Sequence, residues 1–403
     1  MPTPPPRLVT LVLVDARGAL LGALLPFQAA TTRWLDIEPV VRAVREQHAL
    51  RVTVLRLLEA ERSNPNGGAV TYLAEVDADS AQVQLLPWSG RVTSHALRRS
   101  YACVGGPAAD LTWARSALAT LGATLTGEPV QMRTSCLSSV WRLPTMLGSL
   151  WLKVVPPFFA HEGSMLAALR DAPVPRLLAR AGARLLLAHL DGADCDAATL
   201  PERLRMIDLL VGLQSSWLGR EDTLFALGLP DCRAPALTAA ITAFVERCRA
   251  GLAPEACTTL DDFVARLHER FDAVAACGFP NTLVHGDFHA GNVRRHGAQL
   301  TLLDWGDCVV GHPLLDLPAF LRIAPVDAQA AQTHWMQAWR RVLPQSNPER
   351  AAQLLAPVAA LRLAMLSQAF IDASEESEHA YHRRGVPAWL QHTVDLLRVE
   401  QAG

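Results

Sequence analysis

Lysine is almost missing from this chain. Of 37 basic residues in 403, every one is arginine except Lys153. Whatever bias fills the sequence with guanidinium groups has spared one ammonium, and a compact point charge is not interchangeable with a planar fork. Blocks of like charge are missing too. The formal net charge is -2 and there is no Lys/Arg run and no basic-aromatic interleaving, which excludes the electrostatic footprint of a nucleic-acid binder. The eight cysteines, Cys103, Cys136, Cys195, Cys232, Cys248, Cys257, Cys277 and Cys308, form no C-x-x-C pair. They read as reduced thiols rather than a disulfide or zinc framework. No apolar run reaches membrane-spanning length without a charge, and Asp15 and Arg17 interrupt the apolar opening that a signal peptide would need. These absences predict a cytoplasmic protein that engages neither membrane nor nucleic acid. Hydrophobic content of 50% against 19% charged predicts globular structure, and the length predicts two or three domains.

What is present is concentrated between Thr282 and Leu317, TLVHGDFHAGNVRRHGAQLTLLDWGDCVVGHPLLDL. His285, Gly286 and Asp287 follow the apolar pair Leu283 and Val284, and Asn292 stands five positions beyond Asp287. A second β-like run, Leu300 to Leu303, ends in Asp304. Between them, Val293 to Leu303 reads as a hairpin with its turn near His296 and Gly297, which carries Asp304 back beside Asn292. Oxygen-bearing side chains at the ends of short strands suit phosphoryl transfer from a metal-bound nucleotide. That chemistry asks for a carboxylate to orient the attacking hydroxyl and hard oxygen ligands for magnesium near the phosphates. Asp287 is then the base, and Asn292 and Asp304 are the metal ligands. His285 and His289 also stand at the spacing of a zinc pair, but no glutamate follows His285 as zinc-protease chemistry requires. His285 reads instead as a packed loop histidine.

The run HGDFHAGN resembles the H-x-D-x-x-x-x-N catalytic loop of kinase-like folds, and LLDWGD resembles their metal-binding D-F-G segment. With GHPLLDL following, the combination is similar to the aminoglycoside phosphotransferase and choline kinase group of small-molecule kinases. The resemblance covers roughly Glu128 to the C-terminus. It implies an α+β, two-lobed protein-kinase-like fold with a β-rich N-lobe and a mostly helical C-lobe, Mg2+ and ATP or GTP as cofactors, and a small-molecule acceptor with a hydroxyl. It also implies that Asp316 braces the catalytic loop. In such kinases the phosphate lysine lies on a strand and pairs with an acid on the next helix. Lys153 lies in the strand-like Trp151 to Val155, and Glu162 is the only carboxylate between it and Asp171, so the pair is Lys153 with Glu162. The loop Ser135 to Ser139 occupies the place of the glycine-rich phosphate cover; the hydroxyls of Ser135, Ser138 and Ser139 take the role of its missing glycines, or the loop is a plain hairpin turn. Ala188 to Gly192, with His189 and Leu190, reads as the inter-lobe hinge whose backbone meets adenine. Gln214 stands where relatives commonly carry a histidine, and no role is assigned to it.

Taken in order, the chain divides into an N-terminal α/β domain over 1–125, a kinase-like N-lobe over 128–190 and a helical C-lobe over 191–403. In the first, Leu8 to Val14 and Ala19 to Pro26 read as a hairpin around Asp15 to Gly18. Ile37 to Leu50 carries a helical stripe, and Arg51 to Leu58 and Ala69 to Val76 read as strands around a turn at 64–68. Arg45 to Leu50 faintly resembles the helix of Nudix hydrolases, without the paired glutamates that would hold magnesium there. Ser94 to Tyr101 and Ala108 to Leu121 read as helices. So do Leu200 to Leu218, Pro235 to Cys248, Leu260 to Cys277 and the C-terminal segments Pro318 to Ile323, Ala328 to Leu343, Pro348 to Ala373 and Val386 to Val399. Asp372, Glu375, Glu376 and Glu378 form an acidic cluster suited to a cationic substrate. The expectation is an ATP-dependent phosphotransferase acting on an aminoglycoside-, choline- or sugar-like hydroxyl. The alternative is a non-catalytic nucleotide-binding sensor or scaffold whose N-terminal domain binds a partner.

Overall fold

Period-two burial in the first 76 residues builds a sheet, and the chain returns to it at its far end. The computed structural model describes residues 4–62, 66–77, 83–323 and 327–402, so Asn64 and Pro65 of the turn expected at 64–68 lie outside them. One compact unit comprises residues 1–160, 177–189 and 367–384. Its first sheet holds β1 (Arg7–Val14), β2 (Leu20–Ala23), β3 (Phe27–Ala29), β4 (Val52–Ala60) and β5 (Gly68–Val76), in the order β2-β1-β5-β4 with β3 also on β1. The β1–β2 turn forms as the sequence predicts, with Asp15 Oδ1 accepting from the Arg17 and Ala19 N–H groups. Helix α1 (Glu38–His48) lays Val40 and Val44 against Val9, Leu11, Val54 and Tyr72 of this sheet. Trp34, fully buried, donates from Nε1 to the Gly67 carbonyl and meets Tyr381 edge-on at 5.9 Å.

The second sheet of this unit is antiparallel throughout: β6 (Val130–Thr134), β7 (Ser139–Thr145), β8 (Gly148–Val154), β9 (Leu177–Ala181) and β10 (Arg184–Ala188), ordered β6-β7-β8-β10-β9. Leu150, Leu152 and Val154 of β8 point to one face, where α2 (Gly106–Thr120) covers them with Ala114 and Leu118. Lys153 and Trp151 alternate with them and therefore face the other way. A 2.7 Å bond from Arg184 Nε to Asp110 Oδ1 locks α2 to the sheet.

Side chains from elsewhere in the unit seal the outer edge of β4. Gln131 on β6 accepts from the Val54 N–H at 2.9 Å and donates to the Val54 carbonyl at 2.7 Å, so its amide stands in for a strand peptide. Glu378 accepts from the Leu57 N–H at 2.9 Å. Unpaired strand edges are a liability, and here two side chains close one.

Two expectations fail in this unit. The stretch Ser94 to Tyr101 is irregular up to a short turn of 3-10 helix at Ser100–Ala102. Its arginines are drawn off by tertiary partners: Arg98 grips Glu375 through Nε at 2.8 Å and Nη2 at 2.6 Å, and Arg99 donates to the Ala373 carbonyl. The acidic cluster is likewise not the open group of four that the sequence suggests. Glu375 answers Arg98 and lies 3.8 Å from Arg56, Glu378 is buried, and Asp372 accepts from Gln368.

The second unit comprises 161–176, 190–366 and 385–403. It holds α3 (His161–Ala168), β11 (Ala193–Asp194), α4 (Leu200–Ser216), α5 (Glu221–Ala226), β12 (Asp231–Cys232), α6 (Ala234–Cys248), α7 (Pro254–Ala265) and α8 (Leu267–Ala275). There follow β13 (Thr282–Val284), β14 (Val293–His296), β15 (Gln299–Leu302), β16 (Val309–Gly311), α9 (Leu317–Ile323), α10 (Ala328–Val342), α11 (Pro348–Asp372, whose last turns belong to the first unit) and α12 (Gly385–Ala402). The helix expected at Leu260 to Cys277 is two helices broken at Arg266, which lets Leu260 and Phe263 on one side and Leu267 and Phe271 on the other all reach the interior. Among the described residues α11 alone is long and apolar enough to cross a membrane; more than half of its most apolar window is buried in the protein, and Arg362 interrupts it.

Candidate active site

Strand β13 is buried along its whole length and pairs with β16, so the residues after it start from a fixed point. The next two backbone N–H groups both donate to one buried carboxylate: His285 to Asp316 Oδ2 at 2.9 Å and Gly286 to Asp316 Oδ1 at 2.7 Å. Gln214 Nε2 donates to the same Oδ2 at 3.0 Å, and to the Pro313 carbonyl at 3.2 Å. Arg362, 5% exposed, donates to the carbonyls of Gly286 at 3.3 Å and Asp307 at 3.5 Å. Gly286 has φ +88°, and a Cβ there would stand 2.0 Å from the Asp307 carbonyl oxygen, so only glycine permits this approach. Below the loop, Phe288 stacks on Phe320 at 4.9 Å and meets Trp335 edge-on at 5.6 Å.

His285 is fully buried, and burial lowers its pKa below the ordinary 6.5, against the pull of Asp316. Nε2 faces the Leu303 carbonyl at 2.8 Å and Nδ1 faces the Asp287 N–H at 3.3 Å, an arrangement satisfied by the neutral ring with its proton on Nε2. His289 Nδ1 accepts from the Gly291 N–H at 3.0 Å and its Nε2 lies 3.5 Å from Asp287 Oδ2. Both rings are thus engaged separately, and they do not converge on a shared metal position.

Asn292 Nδ2 donates to the Asp287 carbonyl and carboxylate, which leaves Oδ1 as its second functional atom. The hairpin β14–β15 closes as the spacing predicts, with its turn at Gly297. A bond of 2.7 Å from the Leu303 N–H to the Asn292 carbonyl sets Asp304 next to Asn292. Asp304 is exposed and left-handed, with φ +62° and ψ 70°; Ala49 is the other non-glycine residue of positive φ among those described. Such a conformation at a side chain without glycine's freedom is strain held by its surroundings. No cluster of three or more His, Cys, Asp or Glu that could hold a metal occurs among the described residues. A magnesium site does not need one, since that ion is ordinarily held by one or two protein oxygens together with phosphates and water.

Burial pushes the Asp287 carboxyl up, but His289, His285 and the Asn292 amide outweigh it and hold Asp287 below the ordinary carboxylate value. Burial pulls His289 down, and the charge of Asp287, with Asp304 and Asp196, outweighs that and raises it. The Asp287 side chain is 41% exposed, so solvent screens the pair. Burial raises the Asp316 carboxyl, with His285, the two N–H groups and Arg362 drawing it partly back.

The other expected residues fall as follows. Lys153 is half-buried on β8, opposite Val140 and Leu185. Glu162 is buried in the first turn of α3, which packs on the turn Trp305–Asp307. Ser135 and Ser138 close the β6–β7 turn through a 2.9 Å bond from the Ser135 N–H to the Ser138 carbonyl, and Ser135 Oγ accepts from the Leu137 N–H. Ser139 departs from its expected role: it is 1% exposed, and its hydroxyl accepts from Trp141 Nε1 at 3.0 Å. The His189 ring stacks on Trp151, and the Leu190 carbonyl accepts from Arg294 Nε at 2.9 Å. Sequence reasoning missed Gln214 and Arg362. Arg362 left a readable sign, a single charge inside the apolar run Leu354 to Leu366, whereas Gln214 left none beyond its departure from histidine.

A loop carrying Asp287 and Asn292, braced by the buried Asp316, and a hairpin returning Asp304 beside it make up the candidate site. The chain belongs to the phosphotransferase enzyme family, whose sequence profile matches residues 138–352. No curated protein matches it in sequence. Among solved structures it is similar to the GDP complex of aminoglycoside 2'-phosphotransferase-IIIa, at 12% identity over 73% of this chain and 98% of that one, with a TM-score of 0.50. It is similar to the GDP and kanamycin complex of the same type of enzyme, at 12% identity over 72% of this chain and 99% of that one, TM-score 0.50. An ethanolamine kinase of Plasmodium vivax is 11% identical over 66% of this chain and 84% of that one, with a TM-score of 0.49. The first two likenesses establish the kinase-like fold.

Proposed function

We propose that this chain transfers the γ-phosphoryl group of ATP or GTP to a hydroxyl of a small molecule. The observation that carries the reading is the joint hold on Asp287: its carbonyl and carboxylate are fixed by Asn292 and its charge is maintained by His289. Asp287 orients the acceptor hydroxyl and takes its proton as the oxygen attacks the γ-phosphorus; the bond from that phosphorus to the β-γ bridging oxygen breaks, and nucleoside diphosphate leaves. Asn292 Oδ1 and the Asp304 carboxylate are the oxygen donors that would hold magnesium, which when bound supplies charge neutralisation for the phosphates. Lys153 is the point charge assigned to the phosphates. Asp316, Gln214 and Arg362 act through the loop and touch no substrate.

The family, and the similarity to a phosphotransferase structure that holds GDP and kanamycin, support a nucleotide donor and a small hydroxyl-bearing acceptor. The test is nucleotide consumption with Mg2+, with ATP and GTP in parallel, against a panel of amino sugars, macrolides, choline, ethanolamine and sugars. Acceptor-dependent release of diphosphate, lost in Asp287→Asn, supports the reading. Turnover that persists unchanged in Asp287→Asn overturns it, and nucleotide binding without any turnover favours the sensor or scaffold.

A further inference from the structure

The turn between β6 and β7 has a foundation that the chemistry above does not use. In the ladder of β7 with β8, Val140 stands opposite Lys153 and Ser139 opposite Val154. The turn Ser135 to Ser138 therefore leaves the sheet at the end where the lysine lies, and about 7 Å of strand separates Ser138 from the row of Lys153. A glycine-rich cover owes its freedom to the absence of side chains, and this turn has no glycine. Its second residue, Cys136, points inward and is 5% exposed.

Under the turn, Cys136 Sγ lies 3.2 Å from His382 Nε2. Burial lowers the His382 ring to about 4, so it is neutral, and burial with the neighbouring Glu378 raises the thiol well above 9, so it keeps its proton. The thiol is then the donor and Nε2 the acceptor. His382 is itself held fast, since its ring packs on Phe370 at 5.1 Å and it closes the segment 374–382. That segment is tied to the first 76 residues by the bond from the Leu57 N–H to Glu378 and by the edge contact of Tyr381 with Trp34. The strand leading into the turn is tied to the same residues. The Ile37 N–H donates to the Met132 carbonyl at 2.9 Å, Arg133 Nε donates to Asp36 Oδ1 at 3.2 Å, and Gln131 clasps Val54. The N-terminal sheet thus reaches the turn by two routes, through β6 and through 374–382.

We infer that the segment 374–382 is a clasp, and that the bond from Cys136 to His382 lets the N-terminal sheet position the turn Ser135 to Ser138 over the phosphates of the nucleotide. Cys136 and His382 are positioning residues and touch no substrate. They hold the backbone of the turn in one arrangement before nucleotide arrives, which lowers the entropy lost on binding. The inference rests on the nucleotide-dependent reading given above and supplies a role for the N-terminal domain in it.

Calorimetry on the full chain tests it by comparing Mg-ATP, or Mg-GTP where the parent binds that more tightly, with the corresponding nucleoside. His382→Leu and Cys136→Ala should each weaken the triphosphate at least about fivefold, the worth of one hydrogen bond, and leave the nucleoside within about twofold. His382→Gln keeps an acceptor and Cys136→Ser keeps a donor, so each should recover most of the loss. In the parent without nucleotide, the amide hydrogens of 135–138 should exchange at least about a hundredfold more slowly than in an unstructured peptide. Triphosphate affinity unchanged in both His382→Leu and Cys136→Ala, equal loss of triphosphate and nucleoside, no triphosphate binding by the parent, or a freely exchanging turn in the parent overturns the inference. The exchange measurement uses the unsubstituted chain, so it stands even if a variant does not fold. The two readings also fail separately, because turnover that persists in Asp287→Asn strikes phosphoryl transfer alone, whereas the clasp is read from binding and exchange.

Discussion

Asn292 Nδ2 lies 2.9 Å from the carbonyl oxygen of Asp287 and 3.0 Å from its Oδ2, so one amide group holds both the backbone and the carboxylate of the residue five positions before it. The loop between them is closed upon itself before any nucleotide arrives. Orientation of the carboxylate is therefore built into the protein.

Asp287→Asn keeps the shape and removes the proton acceptor. Turnover should fall by about 10²- to 10⁴-fold, the usual contribution of a positioned base. Affinity for Mg-nucleotide, measured by calorimetry, should hold within about threefold, since uniform binding does not depend on the base.

Asp304→Ala should instead remove magnesium-dependent nucleotide binding. Titration with and without chelator checks this: the parent should lose affinity on chelation, and the variant should bind equally weakly in both. Alanine tolerates the left-handed backbone at this position no better than aspartate, so the melting temperature is expected to stay unchanged or fall slightly.

His289→Gln keeps an acceptor for the Gly291 N–H but withdraws the cation beside Asp287. Asp287 is held below 3.8 in the parent, so its carboxylate stays ionised at working pH. In the variant the carboxyl rises, and the acid limb of kcat/KM should move to higher pH. The ion pair is at full strength between the ordinary values 3.8 and 6.5. It is lost as pH falls through the depressed Asp287 value or rises through the raised His289 value. A limb at unchanged pH would remove His289 from the account.

Gln214→Leu strips one donor from the Asp316 carboxylate inside the protein. Stability should drop by about 1–3 kcal/mol, and turnover should fall further than substrate affinity because the loop is less well held. Gln214→His, which restores an N–H, should recover most of both; equal damage from the two variants would mean that volume rather than the hydrogen bond matters there.

Burial raises the Glu378 carboxyl from 4.5 to about 7, with Leu57 N–H pulling it down and Glu375 pushing it up again. Between those values the folded chain holds a proton that the unfolded chain has released. Stability therefore declines as pH rises from 4.5 to 7 and levels off above, a total of about 3 kcal/mol for a shift of this size. Glu378→Gln retains an acceptor for Leu57, so it should melt higher than the parent at pH 8 and show a flatter profile from pH 5 to 8.

The arrangement of Asp287, Asn292 and Asp304 was legible because its logic is local. Five residues separate Asp287 from Asn292, a glycine turn returns the chain, and Asp304 follows a strand whose register the turn dictates. What was not legible depends on distant partners. Arg98 and Arg99 give up helix for Glu375 and Ala373, which lie more than 270 positions away, and no window of sequence contains both ends. The acidic cluster read as a receptor for a substrate cation because nothing in its neighbourhood announced Arg56, Arg98 or the bare N–H of Leu57. The break at Arg266 escaped for a different reason, since apolar residues on either side keep helical spacing and only the shape of the interior requires the bend.

The bond from Leu57 to Glu378 spans 321 positions. During synthesis the ribosome makes the first strands long before the residue that finishes them, and an open edge of that kind pairs readily with neighbouring chains. The nascent protein thus carries a sticky margin through most of its own production, and its yield in a cell depends on how well that margin is shielded until the last helices emerge.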